Sequence, residues 1–246
     1  MKITNHFEES GRTLEDILEQ FLLKMQEVLT TEKAEIFNAF RVLLLEYNEK
    51  YNLTTILEEE EVFYKHFLDS VAGADLFKQN AKVAEIGSGA GFPSIPLKII
   101  RPDLQFDLYE SVGKKCEFLK AIVDNLGLTN VHIYNSRAED KAKEQGVREK
   151  YDCVTARAVA RMNTLSEYCL PFVKIGGVFV AYKSGDTEEL YEAESAYKTL
   201  GAKLQDVCAY ELPEGYGART LCVVKKIKPT PPKYPRGQGK ERKNPL

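Results

Sequence analysis

The residues with the clearest chemical purpose stand together in Val83-Ala84-Glu85-Ile86-Gly87-Ser88-Gly89-Ala90-Gly91-Phe92-Pro93, where a short apolar run breaks into three alternating glycines. Gly87, Gly89 and Gly91 allow positive φ and let a ligand approach main-chain N–H groups that a Cβ would screen. The pattern predicts a strand, a ligand-holding turn and a helix start. The turn alone leaves three possibilities open, because dinucleotide folds, methyltransferases and purely structural turns all use such glycines. Its details favour S-adenosylmethionine. A dinucleotide fingerprint asks for Gly or Ala at the sixth position, whereas Phe92 stands there, followed by Pro93 and Pro96.

In an open α/β sheet, ligands lie outside the carboxyl ends of the strands, so three further strand ends matter. Glu110 closes Leu104-Gln105-Phe106-Asp107-Leu108-Tyr109-Glu110, where its carboxylate can accept both hydroxyls of a ribose. Arg137-Ala138-Glu139 follows a strand at 131–134, where a backbone N–H and a carboxylate can read an adenine edge. Arg157-Ala158-Val159-Ala160-Arg161 follows Tyr151-Asp152-Cys153-Val154-Thr155-Ala156, the place where a substrate would meet the cofactor. Cysteines at 116, 153, 169, 208 and 222 form no Cys-x-x-Cys and do not stand beside the three histidines in a ligand spacing. Reduced, mostly buried thiols and no metal site are the expectation.

The elements that must position these groups come in two kinds. Ahead of residue 80 the apolar residues recur at helical spacing. An amphipathic helix is expected over 13–29, capped by Thr13, and a second over 32–50, with Ile36, Phe37, Phe40, Leu43, Leu44 and Tyr47 on its apolar side. A third is expected over 58–77, its start favoured by Glu58-Glu59-Glu60-Glu61. Tyr51-Asn52-Leu53-Thr54-Thr55 interrupts the period as a turn. After residue 80, strands at 82–86, 105–110, 131–134, 151–156, 177–182, 203–210 and 219–226 alternate with helices near 94–101, 113–126, 163–172 and 187–200. That alternation predicts a mostly parallel, doubly wound α/β sheet ending in an antiparallel hairpin. Pro229, Pro231, Pro232 and Pro235 then point to a flexible or peripheral tail. Three parts result: a helical extension at 1–80, a cofactor-binding domain at 81–228 and a tail at 229–246.

A chain of 246 residues, 43% hydrophobic, can bury a sizeable core. No run is long and apolar enough for a membrane span, and the amino terminus lacks the apolar stretch of a secretory signal, so a cytoplasmic protein is expected. The formal charge of −3 is unevenly spread: residues 225–246 carry eight basic groups and one acid, or +7, which leaves −10 for residues 1–224. A basic tail on an acidic body can bind a polyanion locally, although a solvated tail has the same composition.

Several motifs in order resemble those of the bacterial 16S ribosomal RNA guanine-N7 methyltransferases, the RsmG or GidB family. They are Tyr51-Asn52-Leu53-Thr54, His66-Phe67-Leu68-Asp69-Ser70, Gly87 through Pro93 with Ile95-Pro96-Leu97, Glu110-Ser111 with Lys114-Lys115 and Phe118-Leu119, Arg137-Ala138-Glu139, and Arg157-Ala158-Val159-Ala160. The resemblance covers nearly the whole chain. It implies a class I S-adenosylmethionine-dependent methyltransferase fold, with Gly87, Phe92, Ala138, Glu139 and Arg157 at the cofactor, joined by Gly89 and Glu110 from the strand-end reading. It also implies Lys183 and Arg219 on the substrate side, to which the basic Arg161 and Arg236 are added, facing 16S rRNA of the small ribosomal subunit. The chain departs from the family at Lys65 in place of arginine, at Ser94 in place of glycine, and at Glu241 in place of proline in the tail.

Guanine N7 carries a lone pair and no proton, so methylation there asks for positioning, by Arg157 above all, and for no general base. In keeping with this, no Asn/Asp-Pro-Pro-aromatic segment or Pro-Cys nucleophile follows the fourth strand, and Cys153 lies within it. His66 and Asp69, three apart on one helix face, suit an acid–base pair or a hydrogen-bonded anchor; the chemistry favours the anchor. Methylation of a small molecule and a non-catalytic RNA-binding role are the alternatives.

Overall fold

The computed structural model describes residues 32–185 and 187–246, and the helix expected over 13–29 lies outside the described residues. The alternating segments form β1 (Lys82–Ile86), β2 (Gln105–Glu110), β3 (Val131–Asn135), β4 (Tyr151–Arg157), β5 (Val173–Ser184), β6 (Ala202–Leu212) and β7 (Gly217–Lys226). They join in one sheet of order β3-β2-β1-β4-β5-β7-β6. β1 to β5 are parallel, and β7 inserts antiparallel between β5 and the edge strand β6. Successive burial of Val83, Ala84, Glu85 and Ile86 in β1 reflects cover on both faces, as parallel central strands require.

One face is covered by the helical front and by the helices that follow β1 and β2. α1 (Glu32–Tyr51) buries Phe37, Phe40 and Leu44, the apolar side its periodicity specifies. α2 (Glu59–Val62) runs into a π-helical stretch (Phe63–Leu68) and then α3 (Asp69–Val71), where the sequence predicts one unbroken helix to residue 77. α4 (Ser94–Ile100) and α5 (Gly113–Asn125) complete this layer. α6 (Ala138–Lys141) is a short turn of helix at the end of β3. The opposite face carries α7 (Met162–Cys169), α8 (Glu188–Glu192) and α9 (Glu194–Thr199), the last two replacing the single helix expected over 187–200. Four of the five cysteines are buried, and all are free thiols. Among the described residues no helix is long and apolar enough to cross a membrane.

The prolines after residue 228 leave a flexible or a peripheral tail open, and the structure shows a peripheral one: Tyr234 and Glu241 are buried, and the segment includes a short helix, α10 (Lys240–Lys243). Arg148 holds it by donating to the carbonyls of Thr230, Pro231 and Tyr234 at 2.9, 3.3 and 2.9 Å. The buried Lys226 ammonium donates to Thr230 Oγ1 and to the Leu170 carbonyl.

Candidate cofactor-binding site

The glycine turn is shaped by its neighbours. Gly87 has φ +70°, and a Cβ there would lie 2.8 Å from Val159 Cγ2, so both its conformation and the segment after β4 exclude a side chain. The N–H groups of Gly87 and Ser88 donate to the Tyr109 carbonyl at 2.8 and 3.3 Å, which ties the turn to the end of β2. The adjacent Glu110 locks it: Gly89 N–H donates to Oε2 at 2.9 Å and Val112 N–H to Oε1 at 2.8 Å. Each carboxylate oxygen keeps acceptor capacity for a further donor such as a ribose hydroxyl.

These strand ends enclose a cleft of about 370 Å³ whose lining includes Gly87, Ser136, Ala138, Glu139, Val159 and Tyr168. Two features fit a nucleoside-bearing cofactor. Gly87 lets Val159 pack against the turn at the cleft edge, where a Cβ would collide with it, and the Ser136 hydroxyl is buried without a hydrogen-bond partner. The structure thus brings Gly87, Ala138 and Glu139 together, with Gly89 and Glu110 bracing the turn. Phe92 and Arg157 do not line this cleft. Tyr109, Ser111 and Val159, which the sequence reading quoted within its strand-end segments without a role of their own, also line the cleft, and the reading passed over Ser136, Tyr168, Gly239 and Arg242; strand-end position was a usable signal for Ser136, and nothing local marked Tyr168 or the tail residues.

Phe92 and Arg157 belong to a neighbouring cluster that joins the helical front to the sheet. Phe92 stacks on His66 with ring centroids 4.3 Å apart and also meets Phe40 at 5.3 Å. Arg157 donates to the Lys65 carbonyl at 2.6 Å and approaches Asp69 Oδ2 at 3.1 Å, His66 Nδ1 at 3.2 Å and the Phe92 ring at 5.9 Å. Burial, reinforced by the Arg157 cation, lowers the His66 pKa to about 3. The ring is therefore neutral: Nδ1 accepts from Arg157 and Nε2–H donates to Thr54 Oγ1, 2.9 Å away. These are the contacts of an anchor. Asp69 is nearly inaccessible; it accepts from Tyr210 at 2.6 Å and pairs with Arg219 at 3.7 Å as well as with Arg157.

The other basic candidates are placed separately. Lys183 donates to the Ala160 carbonyl at 2.8 Å and pairs with Glu189 at 3.0 Å, so it braces the loop after β4. Arg161 is exposed and pairs with Glu192 at 2.8 Å. Arg236 is drawn inward instead of standing on an RNA-facing tail: its guanidinium grips the fully buried Glu167 with Nε at 3.0 Å and Nη2 at 2.6 Å. Beneath the glycine turn lies Glu85, which the sequence reading passed over although a carboxylate in an apolar strand was a visible signal. It is fully buried beside Ser94, with neither carboxylate oxygen in hydrogen-bond geometry, and burial raises its pKa to about 8. Among the described residues no group of three or more His, Cys, Asp or Glu is placed to hold a metal ion.

The family described as "GidB: rRNA small subunit methyltransferase G" matches residues 33–215. Ribosomal RNA small subunit methyltransferase G of Lactobacillus acidophilus is 46% identical over 236 residues, covering 93% of this chain and 98% of that protein. The same-named protein of Brevibacillus brevis is 49% identical over 221 residues, covering 89% and 93%. Among solved structures, M. jannaschii TYW2 in complex with AdoMet superposes with a TM-score of 0.55 at 15% identity, covering 70% of this chain and 80% of that one. At that identity the likeness speaks to the fold alone, the doubly wound sheet of class I methyltransferases. A match over most of the chain, with relatives close to half identical along nearly their whole length, places the family beyond the fold: the chain belongs to the ribosomal RNA small subunit methyltransferase G (GidB) family.

Proposed function

We propose that this chain transfers a methyl group to N7 of a guanine in the 16S RNA of the small ribosomal subunit. Its class, an S-adenosylmethionine-dependent ribosomal RNA methyltransferase, follows from the family. When bound, the cofactor supplies an electrophilic methyl on a sulfonium. Gly87 and Gly89 would take its methionine end, Glu110 its ribose, and Ala138 with Glu139 its adenine.

The observation that carries N7 is the state of the acid and base groups near Arg157. His66 is neutral with both ring nitrogens occupied, Asp69 is held by Tyr210 and two guanidiniums, and Glu85 is sealed beneath the turn. A nucleophile that must lose a proton would find no free base among these three; guanine N7 has no proton to lose. Catalysis then rests on holding nucleophile, methyl carbon and sulfur near a line. A stacked base offers N7 poorly, so the target is a loop nucleotide or one rotated out of its helix.

Mass spectrometry of 16S RNA from cells lacking this protein tests the reading. One 7-methylguanosine should disappear and return when purified protein and S-adenosylmethionine are added to the deficient small subunits. An unchanged set of 7-methylguanosines would overturn it.

A further inference from the structure

The C-terminal segment reaches the cofactor cleft. Gly239 and Arg242 line it along with Ala138, Glu139 and Tyr168. Burial raises the Tyr168 hydroxyl's pKa, and the Arg242 guanidinium beside it offsets part of that rise. Gly239 has φ +73°, and the space a Cβ would take there is open, with no atom within 4 Å. We propose that the C-terminal segment closes one side of the cofactor cleft through Gly239 and Arg242, and that Arg242 is a cofactor-binding residue, contacting the nucleoside portion of S-adenosylmethionine.

The anchoring of this segment supports a positioning role. Glu167 is wholly buried, and it accepts the Arg236 backbone N–H at 2.8 Å in addition to the guanidinium. Glu241 is wholly buried too: one carboxylate oxygen accepts from Gly237 N–H, the other has no partner, and its backbone carbonyl accepts the Thr164 hydroxyl at 2.9 Å. Burying two carboxylates carries a desolvation cost that ion pairing only partly offsets, so such an arrangement is poor evidence of added stability and better evidence of a fixed geometry. Arg236 and Glu241 are fixed to α7 and Gly237 to Glu241, while Arg242 extends exposed at the rim. A planar guanidinium in that place can stack on a purine or donate to its ring nitrogens.

The proposal rests on the cleft being the cofactor site, and the experiment separates the two. Isothermal titration calorimetry with S-adenosylmethionine and S-adenosylhomocysteine, without RNA, would compare Arg242→Ala, Arg242→Lys and Glu139→Ala, with thermal melts confirming folding. Arg242 is exposed, so its substitution leaves the fold intact. Arg242→Ala should raise both dissociation constants about tenfold, the equivalent of ~1.4 kcal/mol, with Arg242→Lys in between, and amides of 237–243 should gain exchange protection when S-adenosylhomocysteine binds. Unchanged affinity in Arg242→Ala with weakened affinity in Glu139→Ala would overturn the tail's role and leave the cleft standing. Unchanged affinity in both would remove the cleft itself.

Discussion

Glu85 and His66 are buried groups displaced in opposite senses, and together they set how stability depends on pH. His66 is neutral when folded because burial and Arg157 lower its pKa to about 3, whereas the unfolded chain binds a proton near 6.5. Its contribution is present above pH 6.5 and is lost as pH falls toward 3. Glu85 is raised by burial to about 8 from an ordinary 4.5. Its contribution is full below pH 4.5 and is lost as pH rises toward 8. The two slopes oppose each other between 4.5 and 6.5, so Glu85 alone acts above that window. Glu85→Gln should abolish the fall in melting temperature between pH 6.5 and 8 and leave the acid limb in place; a variant that keeps the alkaline fall would refute this. At this scale the strand-end residues were legible, because a glycine turn and a strand-terminal carboxylate announce themselves locally. The partners of Arg157 were not: Lys65, His66 and Asp69 lie far back in the chain, and no local pattern encodes a long-range ion pair.

At the scale of elements, the π-helical stretch decides what the helical front does. An i→i+5 turn widens the helix and offsets its carbonyls from the usual ladder, and the Lys65 carbonyl accepts from Arg157 within it. The apolar period of 58–77 is compatible with α or π, so nothing in the pattern signals the wider turn. Immediately after it, Asp69 ties α3 to β4 through Arg157, to β6 through Tyr210 and to β7 through Arg219. Asp69→Asn would leave buried guanidinium charge uncompensated, which for broken buried pairs costs ~3–5 kcal/mol. Urea unfolding should show a loss of that order, and the loss should be smaller in an Arg157→Met background, where the charge is absent too. A drop below about 1 kcal/mol in the parent would show that the network is a surface-like pair of little consequence.

Across the whole molecule, charge looks different from its composition. The eight basic groups after residue 224 fit either a polyanion-binding tail or a solvated one, and several of them are engaged by the body: Lys226 pairs with Glu149 at 3.0 Å, Arg236 with Glu167, and Lys225 donates to the Gly176 carbonyl. Their acceptors lie in the body, where composition alone cannot match them to the tail; that is why the sequence left a flexible and a peripheral tail both open and only the structure shows it docked. Exposed cations remain on α10 at Lys240, Arg242 and Lys243, beside the cleft where a target nucleotide must arrive. Each phosphate contact adds ~0.7–0.9 to the steepness with which log K falls against log salt. If Lys240 and Lys243 meet RNA phosphates, the Lys240→Ala/Lys243→Ala variant should bind small subunits with a salt slope shallower by ~1.5, and with S-adenosylmethionine affinity unchanged because neither lines the cleft. Binding measured across a potassium chloride series checks both halves. An unaltered slope would mean that α10 serves the cofactor wall without touching RNA, whereas a shallower slope accompanied by weaker cofactor binding would mean that the two surfaces are energetically one.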